Sequence, residues 1–178
     1  ELAYEVGAAG GAEIREKNLD VWLAPALNIH RDPLCGRNFE YYSEDPLVAG
    51  KNAAAAIRGI QSNKVAVSMK HFACNNKEAN RYDIDARISE RALREIYLKG
   101  FEIAVKEGNP SAVMTAHNRI NGLKCSENPF ILKEVLNDEW GFDGYVVSDC
   151  GAICDINNHH KITKNEAESA ALAVNNGC

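Results

Sequence analysis

Residues 65–71 read Val-Ala-Val-Ser-Met-Lys-His, five residues suited to a buried strand followed at once by a cation and an imidazole. The same arrangement recurs on either side. Asp20-Val21-Trp22-Leu23-Ala24-Pro25 reads as a strand and leads to His30-Arg31-Asp32. Ala112-Val113-Met114-Thr115-Ala116 is a third strand that runs into His117-Asn118-Arg119, and Gly144-Tyr145-Val146-Val147-Ser148 a fourth that ends on Asp149. Short runs that are apolar on both faces belong to strands covered on both sides, which is the situation of a parallel sheet.

The intervening stretches carry helical signals. Residues 2–17 are rich in alanine and glycine, with Leu2, Val6 and Ala9 on one face and Gly10-Gly11 allowing close packing. Asp45-Pro46 is an N-cap followed by proline at the first helical position, and opens a helix to about Gly59. Leu93, Ile96, Tyr97, Gly100 and Ala104 recur at helical spacing between Ser89 and Glu107, with Gly108 as the stop. Asn128-Pro129 repeats the cap-plus-proline signal, Leu132, Val135 and Leu136 face inward, and Gly141 ends that helix. Thr163 and Glu166 have the spacing of a capping box for a last helix closed by Gly177. Four βα units result, either a small open sheet or half of an eight-stranded barrel. Each strand ends in functional side chains while the strand beginnings carry nothing comparable. In a (β/α)8 barrel the loops after the strands converge on the active site, so these clusters predict one side of such a site.

Composition fits one globular domain. The 178 residues are 46% apolar and 25% charged, which excludes a disordered chain. A net charge of −5 argues against a broad nucleic-acid or anionic-membrane surface, and no apolar run approaches the length of a membrane span. The six cysteines are dispersed at a density too low for a disulfide scaffold and read as reduced thiols. The chain opens at Glu1-Leu2-Ala3-Tyr4 inside a helical pattern and stops at Gly177-Cys178, where a helix has closed; a piece of a longer chain is expected.

Asp149 stands directly after a buried strand and before Gly151, where a carboxylate can be both aimed and exposed to a pocket. That suits a nucleophile, and equally a carboxylate that caps a helix. Lys70 and Arg37 are cations able to fix hydroxyls and to keep a nearby aspartate ionised. Arg31, Asp32, Glu40 and Glu44 are expected to form ion pairs that shape the loop around Arg37. His159-His160 and the cysteines lack metal-ligand spacing, and Gly7–Gly11 lies within a helix, so neither a zinc site nor a phosphate cradle is expected.

The segments HRDPLCGRNFEYYSEDP (30–46), KHFACNNKEANR (70–81), MTAHNRING (114–122) and WGFDGYVVSDCGA (140–152) together resemble glycoside hydrolase family 3, the retaining β-glycosidases typified by β-glucosidases. The resemblance covers nearly the whole chain. It implies that residues 1–178 are an incomplete N-terminal catalytic barrel domain of a larger glycosidase. By the same resemblance Asp149 matches the catalytic nucleophile. Lys70 and His71 match a pair that hydrogen-bonds sugar hydroxyls, Arg37 and Arg81 match further sugar-binding positions, and His117 stands where the family usually has a tyrosine. A β-linked oligosaccharide or aryl glycoside is the implied substrate, with no cofactor. The loop Phe72–Glu78 lacks the histidine of the N-acetylglucosaminidase branch, which leaves β-glucosidase first and β-xylosidase or α-arabinofuranosidase second. The acid/base would come from a later domain and another sugar-binding aspartate from before Glu1, so these residues alone are expected to be inactive.

Two readings of other classes compete: a lyase in which Lys70 forms a Schiff base, and a carbohydrate-binding barrel without catalysis. Four parallel βα units also cannot close a barrel. Val65, Val67, Val113, Val146 and Val147 call for neighbours on both sides, so open edges and self-association are expected of the isolated chain.

Overall fold

The computed structural model describes residues 1–178. In chain order, helix α1 (Leu2–Glu16) leads to strand β1 (Val21–Trp22), α2 (Pro46–Gln61) to β2 (Ala66–Phe72), and a two-residue strand β3 (Asp85–Ala86) precedes a helix α3 spanning 90–108. Then come β4 (Ala112–Thr115), β5 (Arg119–Ile120), β6 (Leu123–Lys124), helix α4 (Phe130–Glu139), β7 (Tyr145–Ser148), α5 (Ala152–Asn158) and α6 (Glu166–Asn175). The main sheet has the order β1-β2-β4-β7 and is parallel throughout, as the strand–helix alternation predicts.

The sheet is open. Val65, Val67 and Val113 lie at its centre and are buried, whereas Val146 and Val147 on β7 are only half-buried. On the other edge β1 is shorter than the expected 20–25. The Ala24 N–H turns back to the Trp22 carbonyl at 2.9 Å, so pairing breaks after Trp22 and resumes where the Pro25 carbonyl accepts from the Lys70 N–H and Ala26 bridges Lys70. Next to this edge Leu2 and Val6, which share one face of α1, are exposed. With Trp22 and Leu23 they line a groove of about 580 Å³.

The packing face of α1 is made of glycine instead. A Cβ on Gly7 would stand 2.5 Å from the Ala56 carbonyl oxygen, and one on Gly11 2.7 Å from that of Ile60. Asp45 caps α2 as expected, its carboxylate accepting from the Leu47 N–H at 2.7 Å. Ser89 caps α3, whose turn at Leu93–Tyr97 is widened. The left-handed residue at its end is Asn109, because Gly108 is still helical and packs against Ala54 and Ile57. The capping box at Thr163 does not form. Asn165 caps α6 by accepting from the Glu168 N–H, and Thr163 bonds the Ser169 hydroxyl. Leu132, Val135 and Leu136 are buried as predicted. They share a core with Phe72, whose ring meets Phe101 and Trp140 edge-on at 5.2 and 5.9 Å.

Strand–helix periodicity does not anticipate the small sheet β3-β5-β6. Its local signal is Asn121-Gly122, both at positive φ, the two-residue turn that suits a tight hairpin. That hairpin carries Lys124 to the back of the site described next.

Candidate active site

Every cluster singled out in the sequence lies at the carboxyl end of the main sheet. β2 runs on to Phe72, three residues past Met69, so Lys70 and His71 belong to the strand and are aimed by its ladder. The Asn28 side chain grips the His71 backbone from both sides, donating to its carbonyl and accepting from its N–H at 2.8 Å each. Asn28 carries no sequence signal of its own.

The loop from 30 to 43 brings in Arg37. Its guanidinium pairs with Glu40, whose other oxygen lies 3.5 Å from Lys70 Nζ, so one carboxylate holds two cations. Of the four residues expected to form ion pairs here only Glu40 does. Arg31 donates to the Tyr97 hydroxyl, Asp32 accepts from the Leu34 N–H, and Glu44 has no ionic partner. Arg81 is held in the same fashion, 3.3 Å from Glu78, which also accepts from the Asn75 amide at 3.0 Å.

Asp149 follows β7, its own N–H bonded to the Thr115 carbonyl. The Cys150 N–H donates to Oδ1 at 2.8 Å. Oδ2 faces His71 Nε2 at 3.8 Å and His117 Nε2 at 3.6 Å. The carboxylate is therefore fixed through one oxygen, while the other opens to the rim.

His71 is buried, and burial, together with Arg37, Lys70 and Arg81, pulls its pKa down to about 2. The ring is neutral at any working pH. The Tyr41 hydroxyl lies 3.3 Å from both His71 Nδ1 and the Asn75 carbonyl, and its one proton decides the tautomer: given to Nδ1 it leaves the ring proton on Nε2, and given to Asn75 it leaves Nδ1–H to donate to the phenol oxygen. Tyr41 is itself a buried phenol whose pKa burial raises.

His117 is 2% exposed. Its Nδ1 lies 2.8 Å from Asp155 Oδ2 on α5. Burial lowers its pKa while Asp149 and Asp155 oppose the shift, and the balance stays below the ordinary value. Asp155 also faces Lys124 Nζ at 3.6 Å and His159 Nε2 at 3.5 Å. Lys124 is wholly buried and its ammonium makes no hydrogen bond. Neither Asp155 nor Lys124 stands out in the sequence, because each acts from the second turn or strand after a cluster.

The structure thus brings Arg37, Lys70, His71, Arg81, His117 and Asp149 to one rim. No group of three or more His, Cys, Asp or Glu side chains could hold a metal ion, and the six cysteines are unpaired. A fixed, partly open carboxylate ringed by neutral imidazoles and paired cations can attack an electrophilic carbon while the cations hold a polyol.

The glycosyl hydrolase family 3 N-terminal domain model matches residues 1–178. Beta-glucosidase A of Butyrivibrio fibrisolvens is 61% identical over 149 residues, 84% of this chain and 18% of that protein. An exo-alpha-(1->6)-L-arabinopyranosidase of Bifidobacterium longum is 51% identical over 152 residues, 85% of this chain and 20% of its own length. Among solved structures, beta-glucosidase 3B from Thermotoga neapolitana in complex with glucose superposes with a TM-score of 0.86 at 47% identity, over 98% of this chain and 27% of that one. The chain spans about a fifth of the length of these curated relatives.

Proposed function

Because this chain belongs to glycosyl hydrolase family 3, its four strands being an open part of that family's TIM-like barrel, we propose that it carries the glycone-binding half of a retaining β-glycosidase. Residues 1–178 are then the incomplete N-terminal catalytic domain of a larger enzyme. Asp149 attacks the anomeric carbon, a covalent glycosyl-enzyme forms, and water resolves it with net retention. The general acid that protonates the leaving oxygen comes from a later part of the protein.

The observation that carries this reading is the setting of Asp149. One oxygen is pinned by the Cys150 N–H, and the other makes no hydrogen bond, with the buried neutral His71 3.8 Å away and His117 3.6 Å away. The surrounding cations are tied to Glu40 and Glu78. Lys70, Arg37 and Arg81 can therefore bond sugar hydroxyls without presenting uncompensated positive charge to an oxocarbenium-like transition state. Lys70 is paired with Glu40, which suits a hydroxyl ligand better than a Schiff-base amine.

A terminal β-glucoside is the substrate favoured by the β-glucosidase relatives. An α-L-arabinopyranoside is the second reading, favoured by the Bifidobacterium relative. It presents the same equatorial anomeric bond, inverts the C4 hydroxyl and lacks the hydroxymethyl group.

In the full-length protein Asp149→Gly should abolish hydrolysis of an aryl β-glucoside by at least about 10⁴-fold, over 5 kcal/mol of barrier. Azide should then fill the vacated space and yield an α-glucosyl azide. Near-normal turnover, or a β-configured azide product, would remove Asp149 from the nucleophile's role.

A further inference from the structure

Behind Asp149 lies a second layer of buried charge that attack on a sugar does not by itself require. It runs from Asp149 Oδ2 to His117 at 3.6 Å, from His117 to Asp155 at 2.8 Å, and from Asp155 to Lys124 at 3.6 Å. A buried ammonium without hydrogen bonds is costly, so Lys124 is held here by the carboxylate next to it. The shorter of the two contacts made by His117 assigns the one proton of its neutral ring to Nδ1, donated to Asp155. Nε2 therefore faces Asp149 with a lone pair.

We propose that His117 is a positioning residue acting through Asp149: fixed by Asp155 with its proton on Nδ1, it takes up the first proton the site binds as pH falls and so keeps Asp149 ionised. The inference rests on Asp149 being the nucleophile. The step is a single transfer. A proton entering the site is carried by His117 Nε2 and not by Asp149 Oδ2, Nδ1–H stays with Asp155, and an imidazolium results between two carboxylates, of which Asp155 also faces the Lys124 ammonium. Closing 3.6 Å to bonding distance takes a shift of under about 1 Å, of the kind by which catalytic hydrogen bonds tighten when substrate binds. A tyrosine at this position could donate to Asp149 but could not accept its proton at neutral or acid pH.

The groups that face His117 from each packed element fit this role. His71 on β2 stays neutral and cannot compete for the proton. Arg81, together with burial, weakens His117 as a base, whereas Asp149 and Asp155 strengthen it. The Tyr82 ring packs edge-on at 4.8 Å. Lys124 on β6 and His159 on α5 reach Asp155 rather than the imidazole. Asp149 and Asp155 together support the basicity of the imidazole against burial and Arg81, and Asp155 is the one of the two that also fixes the ring.

The test is the pH dependence of kcat/KM in the full-length protein on an aryl β-glucoside. In Asp155→Asn and in His117→Gln the acid limb should move up by about one pH unit or more, because the first proton then lands on Asp149. The plateau should fall less than the acid-side rate. Asp155→Glu should keep the wild-type limb, and the double variant should move no further than His117→Gln alone. A limb that stays in place while the whole profile drops would overturn the proposal and leave Asp155 a structural residue. Should Asp155→Asn fail to fold around Lys124, His117→Gln decides the matter alone. Azide rescue of Asp149→Gly separates the two ideas. If the α-glucosyl azide forms and the limb is fixed, only the His117 role fails; if Asp149→Gly turns over nearly normally or yields the β-configured azide, the nucleophile assignment falls and takes this inference with it.

Discussion

Between α1 and α2 the contact is made by Gly7, Gly11, Gly59 and Ala56, whereas the rim around Asp149 buries His71, His117, Asn118, Lys124 and Asp155. The first region gains stability from backbones brought close enough for many weak contacts. The second gives stability up. Asn118 Oδ1, Thr115 Oγ1, Glu127 Oε2 and Lys124 Nζ all lie buried near the rim with no hydrogen-bond partner, and orphaned groups of this kind are few in native proteins. Polar burial that lowers stability persists where it positions chemistry. The helix pair therefore reports on folding and the rim on function, and substitutions in the two places should separate the two measurements.

The largest separation is expected in the rim. Lys70→Ala and Arg37→Ala should each lower kcat and kcat/KM together by about 10²–10³-fold, roughly 3–4 kcal/mol, because bonds to sugar hydroxyls strengthen as charge develops. Their effect on unfolding should be small, since both side chains reach the rim surface and Glu40 keeps one cation in either variant. Steady-state kinetics beside denaturant unfolding of the full-length protein checks both halves. A change confined to KM would make the residue a uniform binder, and a large loss of stability would erase the contrast between the regions.

The same contrast explains what could be read from sequence. The helix–strand alternation, the Asp45 cap, the inward Leu132, Val135 and Leu136, and the strand-end placement of Lys70, His71, His117 and Asp149 follow from local periodicity and turn chemistry. These rules need only neighbouring residues. The glycine face of α1 was half legible: Gly10-Gly11 signals close packing, but which face turns inward depends on α2, fifty residues away. Leu2 and Val6 make the apolar stripe, yet they border the open edge at β1. In the rim, Asn28, Tyr41, Asp155 and Lys124 escape a local reading because their roles depend on long-range pairs. His71 and Tyr41 are thirty residues apart, and His117 and Asp155 thirty-eight. Only the Asn121-Gly122 turn announced in sequence how Lys124 arrives.

On the helix side the sharpest probe is Gly59→Ala. A Cβ there would clash with the Tyr4 carbonyl oxygen and stand 2.8 Å from the Ala8 nitrogen. Both are backbone atoms of α1 and cannot swing aside as a side-chain tip would. Alanine is otherwise the better helix former, by about 1 kcal/mol over glycine, so propensity predicts stabilisation and packing predicts the reverse. Overpacking should win, with a net loss of about 1–3 kcal/mol as α1 is pushed off α2. The midpoint of denaturant unfolding should fall while kcat/KM of the folded fraction changes less than twofold. An increase in stability would mean that α1 sits further from α2 than its glycines imply.

The smallest effect is expected where the geometry looks best. Lys51 Nζ bonds both oxygens of Glu107, at 2.6 and 2.8 Å, whereas Lys70 stands 3.5 Å from Glu40. Ranked by distance, the Lys51 pair on the helix layer is the stronger of the two. Solvent reverses that order: its side chains are 55% and 42% exposed, against 17% and 22% for the rim pair. Water screens the exposed charges, and ordering two long side chains offsets much of the remaining attraction, so such pairs contribute about 0.2–1 kcal/mol. Lys51→Ala should accordingly shift stability by about 0.5 kcal/mol, and by nearly nothing in 1 M salt, where the screening length is about 3 Å. Glu40→Gln, by contrast, leaves Lys70 and Arg37 in a crowded rim without their shared counterion and should be felt in activity at any salt concentration. Paired salt titrations of the two variants place the ion pairs on one scale. A Lys51→Ala loss above 1.5 kcal/mol that survives high salt would mean the helix layer, too, depends on charge.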